Sequence, residues 1–199
     1  MPKNQKQDPR VIRTRRDLIR SMCDLLKEKR YNKITVRDIT DRAMINRATF
    51  YAHFEDKYKL LEEMLLLQVV EKLKANNVID GRITSENLRR LTLTICEFLV
   101  EFHAEHVPPD QHQITPVEWQ VMDFLYKFLL EGSQVDSGSP SDSEPEAVAR
   151  MTSSVILGSA LRWTQGRRDV PAEKIADQVV NFIMFGLGDL NTNTADKLS

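Results

Sequence analysis

The 199-residue chain predicts an all-α fold. Two observations carry that prediction. Apolar residues recur at three- and four-residue steps along almost every segment, the period of a helix with one buried stripe. Glycine and proline are sparse, 7 and 8 in all, and no alternating run is long enough to argue for a sheet. The length suits one large domain or two small ones, with enough chain to bury a sizeable core.

The elements follow in order. Residues 1–10 are basic and polar and are expected to form a flexible arm. A first helix is expected over 13–29, with Leu18, Ile19, Met22, Cys23, Leu25 and Leu26 on its stripe. Arg13, Arg15, Arg16 and Arg20 lie toward its start, where the helix dipole disfavours cations, so something outside the helix should want them. A linker at 30–34 leads to Thr35. Thr35 with Asp38 resembles a capping box that opens a second helix over 36–42, burying Val36, Ile39 and Ala43. Asn46 caps a third over 47–53, with Phe50 and Phe54 in the core. Asp56 caps a fourth over 57–75, apolar enough at Leu60, Leu61, Met64 and Leu65 to be buried on several sides.

A fifth helix is expected from Thr84 or Ser85 to about 105, ended by Val107-Pro108-Pro109. Thr115-Pro116 opens a sixth, to about 130. Residues 132–145 are rich in Gly, Ser and Pro and predict a loop. Pro145 opens a seventh helix that stops at Gly166, and an eighth starts near Pro171 and ends by 186–188.

Charge then narrows the function. The net charge of -1 hides an asymmetry: the first 60 residues carry 16 Lys+Arg against 8 Asp+Glu, the rest 12 against 21. A basic block on an acidic remainder points to a polyanion-binding part attached to something else. The basic block contains the two short helices of residues 35–57, joined by a tight turn. Such a pair can lay one helix across a phosphate backbone and the next in a major groove. Arg37, in the first turn of the second helix, can reach a phosphate or a guanine edge. Arg47 begins the third helix and is the best base reader, because arginine grips guanine O6 and N7 together. Ala48 and Thr49 are small enough for close approach and can touch a thymine methyl.

Competing chemistries are poorly served. Cys23 and Cys96 form no CxxC spacing, so a disulfide scaffold is not expected and a reducing cytoplasm fits. The start of the chain lacks the apolar stretch of a secretory signal, and the apolar run at 64–70 is too short to span a bilayer. Gly132 to Gly138 lacks the strand and lysine of a phosphate loop, and no Ser-His-Asp order has a local signature. The chain is therefore not expected to be an enzyme or to need a cofactor. His103-x-x-His106, with Cys96 and His112, leaves a metal site open as a lesser reading, without an evident fourth ligand.

The stretch ITVRDITDRAMINRATFYAHFEDKYKLL, with its T-F-Y-x-H-F-x-D-K core, resembles the TetR family of bacterial transcription regulators. The close match covers about the first third of the chain; the rest is similar in helix layout. The resemblance implies a DNA-binding domain at 10–56, with its helix-turn-helix at about 35–54. A helical effector-binding and dimerisation domain would follow at 57–199. It also implies DNA-backbone contacts for Tyr51 and His53 and a phosphate contact for Lys57. One departure stands out: Met44 occupies a turn position where the family usually has glycine. A left-handed conformation costs other residues roughly 1–2 kcal/mol. Either the turn is rearranged or Met44 packs inward to offset the strain.

The last two helices are unusually apolar. Ile156, Leu157, Ala160 and Leu161 on one, with Val179, Phe182 and Ile183 on the other, are expected at a homodimer interface. The resemblance implies a four-helix interface of that kind, presenting two reading heads to a palindromic operator. Ile95, Phe98, Phe102, Trp119, Met122 and Tyr126 offer an apolar pocket lining, and His103 a polar handle. The resemblance implies a small-molecule effector, and so a repressor released from double-stranded DNA. The alternative is a regulator whose tail binds a partner protein or a metal, and which activates transcription.

Overall fold

A computed structural model describes residues 8–106, 116–135 and 145–195, with side chains described up to Ser133 in the second stretch and Gly186 in the third. The described residues form eight α-helices, one short 3-10 turn and no strand. The helices are α1 (Pro9–Glu28), α2 (Val36–Ala43), α3 (Arg47–His53), α4 (Lys57–Ala75), α5 (Ser85–Glu105), α6 (Pro116–Val135), α7 (Pro145–Gln165) and α8 (Ala172–Ala195). The all-α expectation holds. The arm up to residue 7, the stop at 107–109, His112, the Thr115 cap and residues 136–144 of the expected loop lie outside the described residues.

The chain divides into two compact units. One comprises the chain up to Leu67 and a segment from His103 to Glu118; the other comprises Gln68–Phe102 and the chain from Trp119 onward. In the first, α1 packs on α2 and α3 through Leu18, Met22, Leu25 and Leu26, all 4% exposed or less. Ile39, Phe50 and Phe54, and Leu60, Leu61, Met64 and Leu65 of α4, are buried in the same unit. The expected linker is a 3-10 turn (Tyr31–Lys33) that sends Tyr31 and Ile34 into this core. Polarity at Asn32 and Lys33 hid that in the sequence. Two ion pairs fasten the end of α1 to α2: Glu28 grips Arg42 twice, at 2.7 Å each, and Lys29 meets Asp38 at 2.9 Å.

Two expectations for this region are corrected. Helix α1 begins at Pro9, four residues earlier than expected, because Asp8 caps it by accepting from the Arg10 N–H at 2.9 Å. Helix α4 is buried along a single stripe, Leu60, Leu61, Met64, Leu65, Val69 and Leu73, while Leu66 and Leu67 are exposed.

In the second unit, α5 contributes Leu88, Leu91, Ile95 and Leu99 to the core, α6 Val121, Leu125 and Leu129, α7 Ile156, Leu157 and Ala160, and α8 Ala176, Val179 and Ile183. Arg89 of α5 meets Asp177 of α8 at 2.7 Å. Helix α6 runs five residues past its expected end and takes in Gly132. Gly81 and Gly132 meet along this stretch. A Cβ on Gly81 would sit 1.8 Å from the carbonyl oxygen of Phe128, and one on Gly132 would sit 2.0 Å from the Gly81 backbone. The loop presses on the helix there, and only glycine admits the contact. Helix α8 likewise continues past Gly186 and Gly188, its expected end.

Candidate nucleic-acid interface

Each of the two short helices is capped at its start by the side chain of the residue before it. Thr35 and Asp38 form a reciprocal capping box at the start of α2: Thr35 N–H donates to Asp38 at 2.7 Å, and Asp38 N–H to Thr35 Oγ1 at 3.2 Å. The Lys29 ammonium, then the Thr35 hydroxyl and N–H, hold the Asp38 carboxyl well below the usual carboxylate range. At the start of α3, Asn46 Oδ1 accepts from Ala48 N–H at 2.8 Å. Asp56 Oδ1 accepts from Tyr58 and Lys59 N–H, each at 2.8 Å, at the start of α4.

The turn between α2 and α3 hinges on Met44, at φ 53° and ψ 41°. Ile45 N–H reaches back to Thr40 O at 3.0 Å, and Met44 N–H to Asp41 O at 3.3 Å. This paired closure is the Schellman arrangement. The left-handed turn survives without glycine. Inward packing does not offset its strain, for Met44 is 93% exposed. The two closing hydrogen bonds are what hold it.

One face of this motif is open. Arg37, Arg47, Ala48 and Tyr51 are exposed; Thr49 and His53 are half-buried; Phe50 and Phe54 anchor α3 from beneath. Arg37 lies within reach of Asp41, one turn on, at 3.4 Å. Arg47 Nη2 donates to Tyr51 Oη at 3.3 Å and its guanidinium lies 5.9 Å from that ring, so the two side chains extend along the same side of α3.

Lys57 differs from the other candidates. Its ammonium donates to Ile34 O at 2.7 Å and Tyr31 O at 3.3 Å, and stands 4.5 Å from the centre of the Tyr31 ring. Burial lowers its pKa. Arg15 is the residue that the sequence did not single out. It pairs with Glu63 through Nε at 3.1 Å and through Nη2, donates from Nη1 to His53 O at 3.0 Å, and lies over the Phe54 ring. Its place in the α1 arginine cluster was a signal; the partner, 48 residues away, was not legible.

The residues expected to line a pocket differ in exposure. Ile95, Phe98 and Phe102 are buried core of α5, whereas Trp119 is 63% exposed. Met122 and Tyr126 are half-buried beside α7, where Ser154 Oγ approaches Met122 Sδ at 3.9 Å and the Arg150 guanidinium stacks 4.8 Å from the Tyr126 ring. His103 is half-buried; burial, then the neighbouring His106, lowers its pKa. Among the described residues no three His, Cys, Asp or Glu side chains stand together as metal ligands. Burial raises the Cys96 thiol to about 11 and keeps it protonated, a poor ligand form.

The expected dimer residues divide into two sets. Ile156, Leu157, Ala160, Val179 and Ile183 lie in the chain's own core, and Leu161 is half-buried. Phe182 is 68% exposed and Phe185 75%. Phe182 borders an open hollow of about 440 Å³ between α7 and α8, shared with Val155, Trp163, Ile175 and Val179.

A capped, core-anchored helix-turn-helix with a polar, arginine-bearing outer face is the arrangement by which DNA-binding proteins seat a helix in the major groove. Residues 18–64 match the family model described as bacterial regulatory proteins, tetR family. Over those residues the chain is similar to that family. It is 28% identical over 187 residues to the uncharacterized HTH-type transcriptional regulator YxbF of Bacillus subtilis (strain 168), covering 91% of this chain and 47% of that one. It is 23% identical over 182 residues to the HTH-type dhaKLM operon transcriptional activator DhaS of Lactococcus lactis, covering 87% and 90%. A tetR-family transcriptional regulator from Streptomyces coelicolor shares the fold, with a TM-score of 0.56, 21% identity and coverage of 90% and 82%. The chain spans about half the length of the first curated relatives it matches. No helix among the described residues is long and apolar enough to cross a membrane.

Proposed function

We propose that the chain acts as a homodimeric repressor that reads a palindromic operator with two copies of α3 and is released by a small-molecule effector. The observation that carries the DNA half is the outer face of α3. Arg47, Ala48 and Tyr51 are exposed on a helix whose start is capped and whose underside is locked by Phe50. Arg47 reads bases, Ala48 and Thr49 allow close approach, and Arg37, Tyr51, His53 and Lys57 hold the backbone. The domains follow as a reading head at 10–56 and an effector-binding and dimerising body at 57–199.

The dimer half draws on Phe182 and Phe185, large apolar side chains exposed on α8 beside the hollow against α7. A second copy that covers this face sets the separation of the two heads. A ligand that prefers one separation then shifts the population away from the DNA-competent state. The body's effector is an organic molecule in this account, and the protein is cytoplasmic and not catalytic. The likeness to the activator DhaS favours one alternative, activation in place of repression. A reporter gene behind an operator that the chain selects from random duplexes separates them: repression requires expression to rise when the chain is deleted, and activation requires it to fall.

A further inference from the structure

We propose that Arg15 is a positioning residue for sequence reading, acting through the C-terminal end of α3; this rests on the proposal that α3 is the groove helix. One guanidinium joins three elements. From α1 it reaches the carbonyl of His53, the last residue of α3, at 3.0 Å, and both carboxylate oxygens of Glu63 on α4. The carbonyls of a helix's last turn have no partner within the helix, and they form the negative end of its dipole. A cation there satisfies one of them and is attracted by the rest. The face of the same group lies 4.4 Å from the centre of the Phe54 ring, the residue that closes α3.

The geometry requires arginine. Its fork offers parallel donors to a carboxylate and a further one to the carbonyl, whereas a lysine offers one point charge. A bare phosphate contact does not explain the arrangement. The charge is committed to Glu63, and the side chain is only 32% exposed, while Arg13, Arg16 and Arg20 around it are exposed. Helix α3 is seven residues long, too short to hold its own direction. Asn46 fixes its start and Arg15 its end. Freed at that end, α3 can still sit against phosphates, but Arg47 no longer meets a base edge within hydrogen-bond tolerance.

The test uses the full chain. Wild-type protein enriches duplexes from a random-sequence pool. Binding to one enriched duplex and to its scrambled counterpart is then measured over a salt series for wild type, Arg15→Gln and Glu63→Gln, alongside melting temperatures. Arg15→Gln is expected to weaken the enriched duplex about tenfold, the size of a lost base contact. The scrambled duplex should change by less than about twofold, and the salt slope should stay as in wild type, since no phosphate contact is lost. Glu63→Gln, which leaves the His53 bond, should show a smaller loss confined to the enriched duplex, and it carries the test if Arg15→Gln does not fold. Lower melting with wild-type binding would reduce Arg15 to a stabilising role and overturn the proposal. Equal loss on both duplexes with a shallower slope would make it a phosphate contact and also overturn it. If wild type enriches nothing, the α3 reading fails and the proposal falls with it.

Discussion

Lys57 holds its ammonium 2.7 Å from the carbonyl oxygen of Ile34, so the first residue of α4 is tied to the segment just before α2. A cation at a helix N-terminus is opposed by the helix dipole, and these carbonyls offset that. An ammonium has three donors. Two go to Ile34 and Tyr31, which leaves one for a DNA phosphate. Lys57→Ala is therefore expected to cost stability and affinity together: about 1–2 kcal/mol in urea unfolding, discounted for partial exposure. The fall of log affinity with log salt should also become shallower by about 0.9. Unchanged stability would remove the internal tie; an unchanged slope would remove the phosphate contact.

Met44 is strained but not packed. Met44→Gly should relieve the left-handed conformation and lose no buried contact. The gain expected is about 1 kcal/mol, the steric relief less the extra freedom of glycine in the unfolded chain. Thermal and urea unfolding measure it, and a destabilised glycine variant would show that Met44 contributes something the turn needs.

Arg47 is the proposed base reader, extended along α3 beside Tyr51. Arg47→Ala should weaken the enriched duplex by about 1–3 kcal/mol and relax preference at one base pair per half-site. Repeating the enrichment with the variant reads this directly. Identical preferences would remove Arg47 from the reading set.

Acid should loosen the head through Asp38. Its folded pKa is depressed, chiefly by Lys29 and then by Thr35, so its contribution is complete above the unfolded value near about 4 and is lost as pH falls through the folded value. Glu28, lowered by Arg42, adds in the same direction. Asp38→Asn should lower stability at neutral pH and flatten the decline below about pH 4. A variant whose acid limb matches wild type would place the titration elsewhere.

The head was largely legible because its signals are local. Caps at Thr35, Asn46 and Asp56 sit within three residues of the donors they satisfy, and the α1 stripe needs only helical periodicity. What escaped was long-range. Arg15 and Glu63 are far apart in sequence, and no spacing rule pairs a charge on α1 with one on α4. The 3-10 turn escaped because two polar residues separate Tyr31 from Ile34. In the body, periodicity found the apolar faces but not what covers them. Val179 and Phe182 sit one turn apart on α8, yet one is core and the other exposed. The same ambiguity left Ile95, which is in the core, and Trp119, which is on the surface, indistinguishable in the sequence.

The central claim is that two heads, held apart by pairing of α7 and α8, read one duplex. Enrichment from a random-sequence pool, run in parallel with wild type and Phe182→Glu, tests it most directly. Phe182 is exposed, so the change should leave the fold intact while placing a charge where a second copy packs. The account predicts that wild type sediments as a dimer and enriches an inverted repeat with half-sites about one helical turn apart, or a multiple of it. Phe182→Glu should sediment as a monomer and enrich none. A wild-type chain that enriches an unpaired single site, or a Phe182→Glu variant that still selects the inverted repeat, would contradict it.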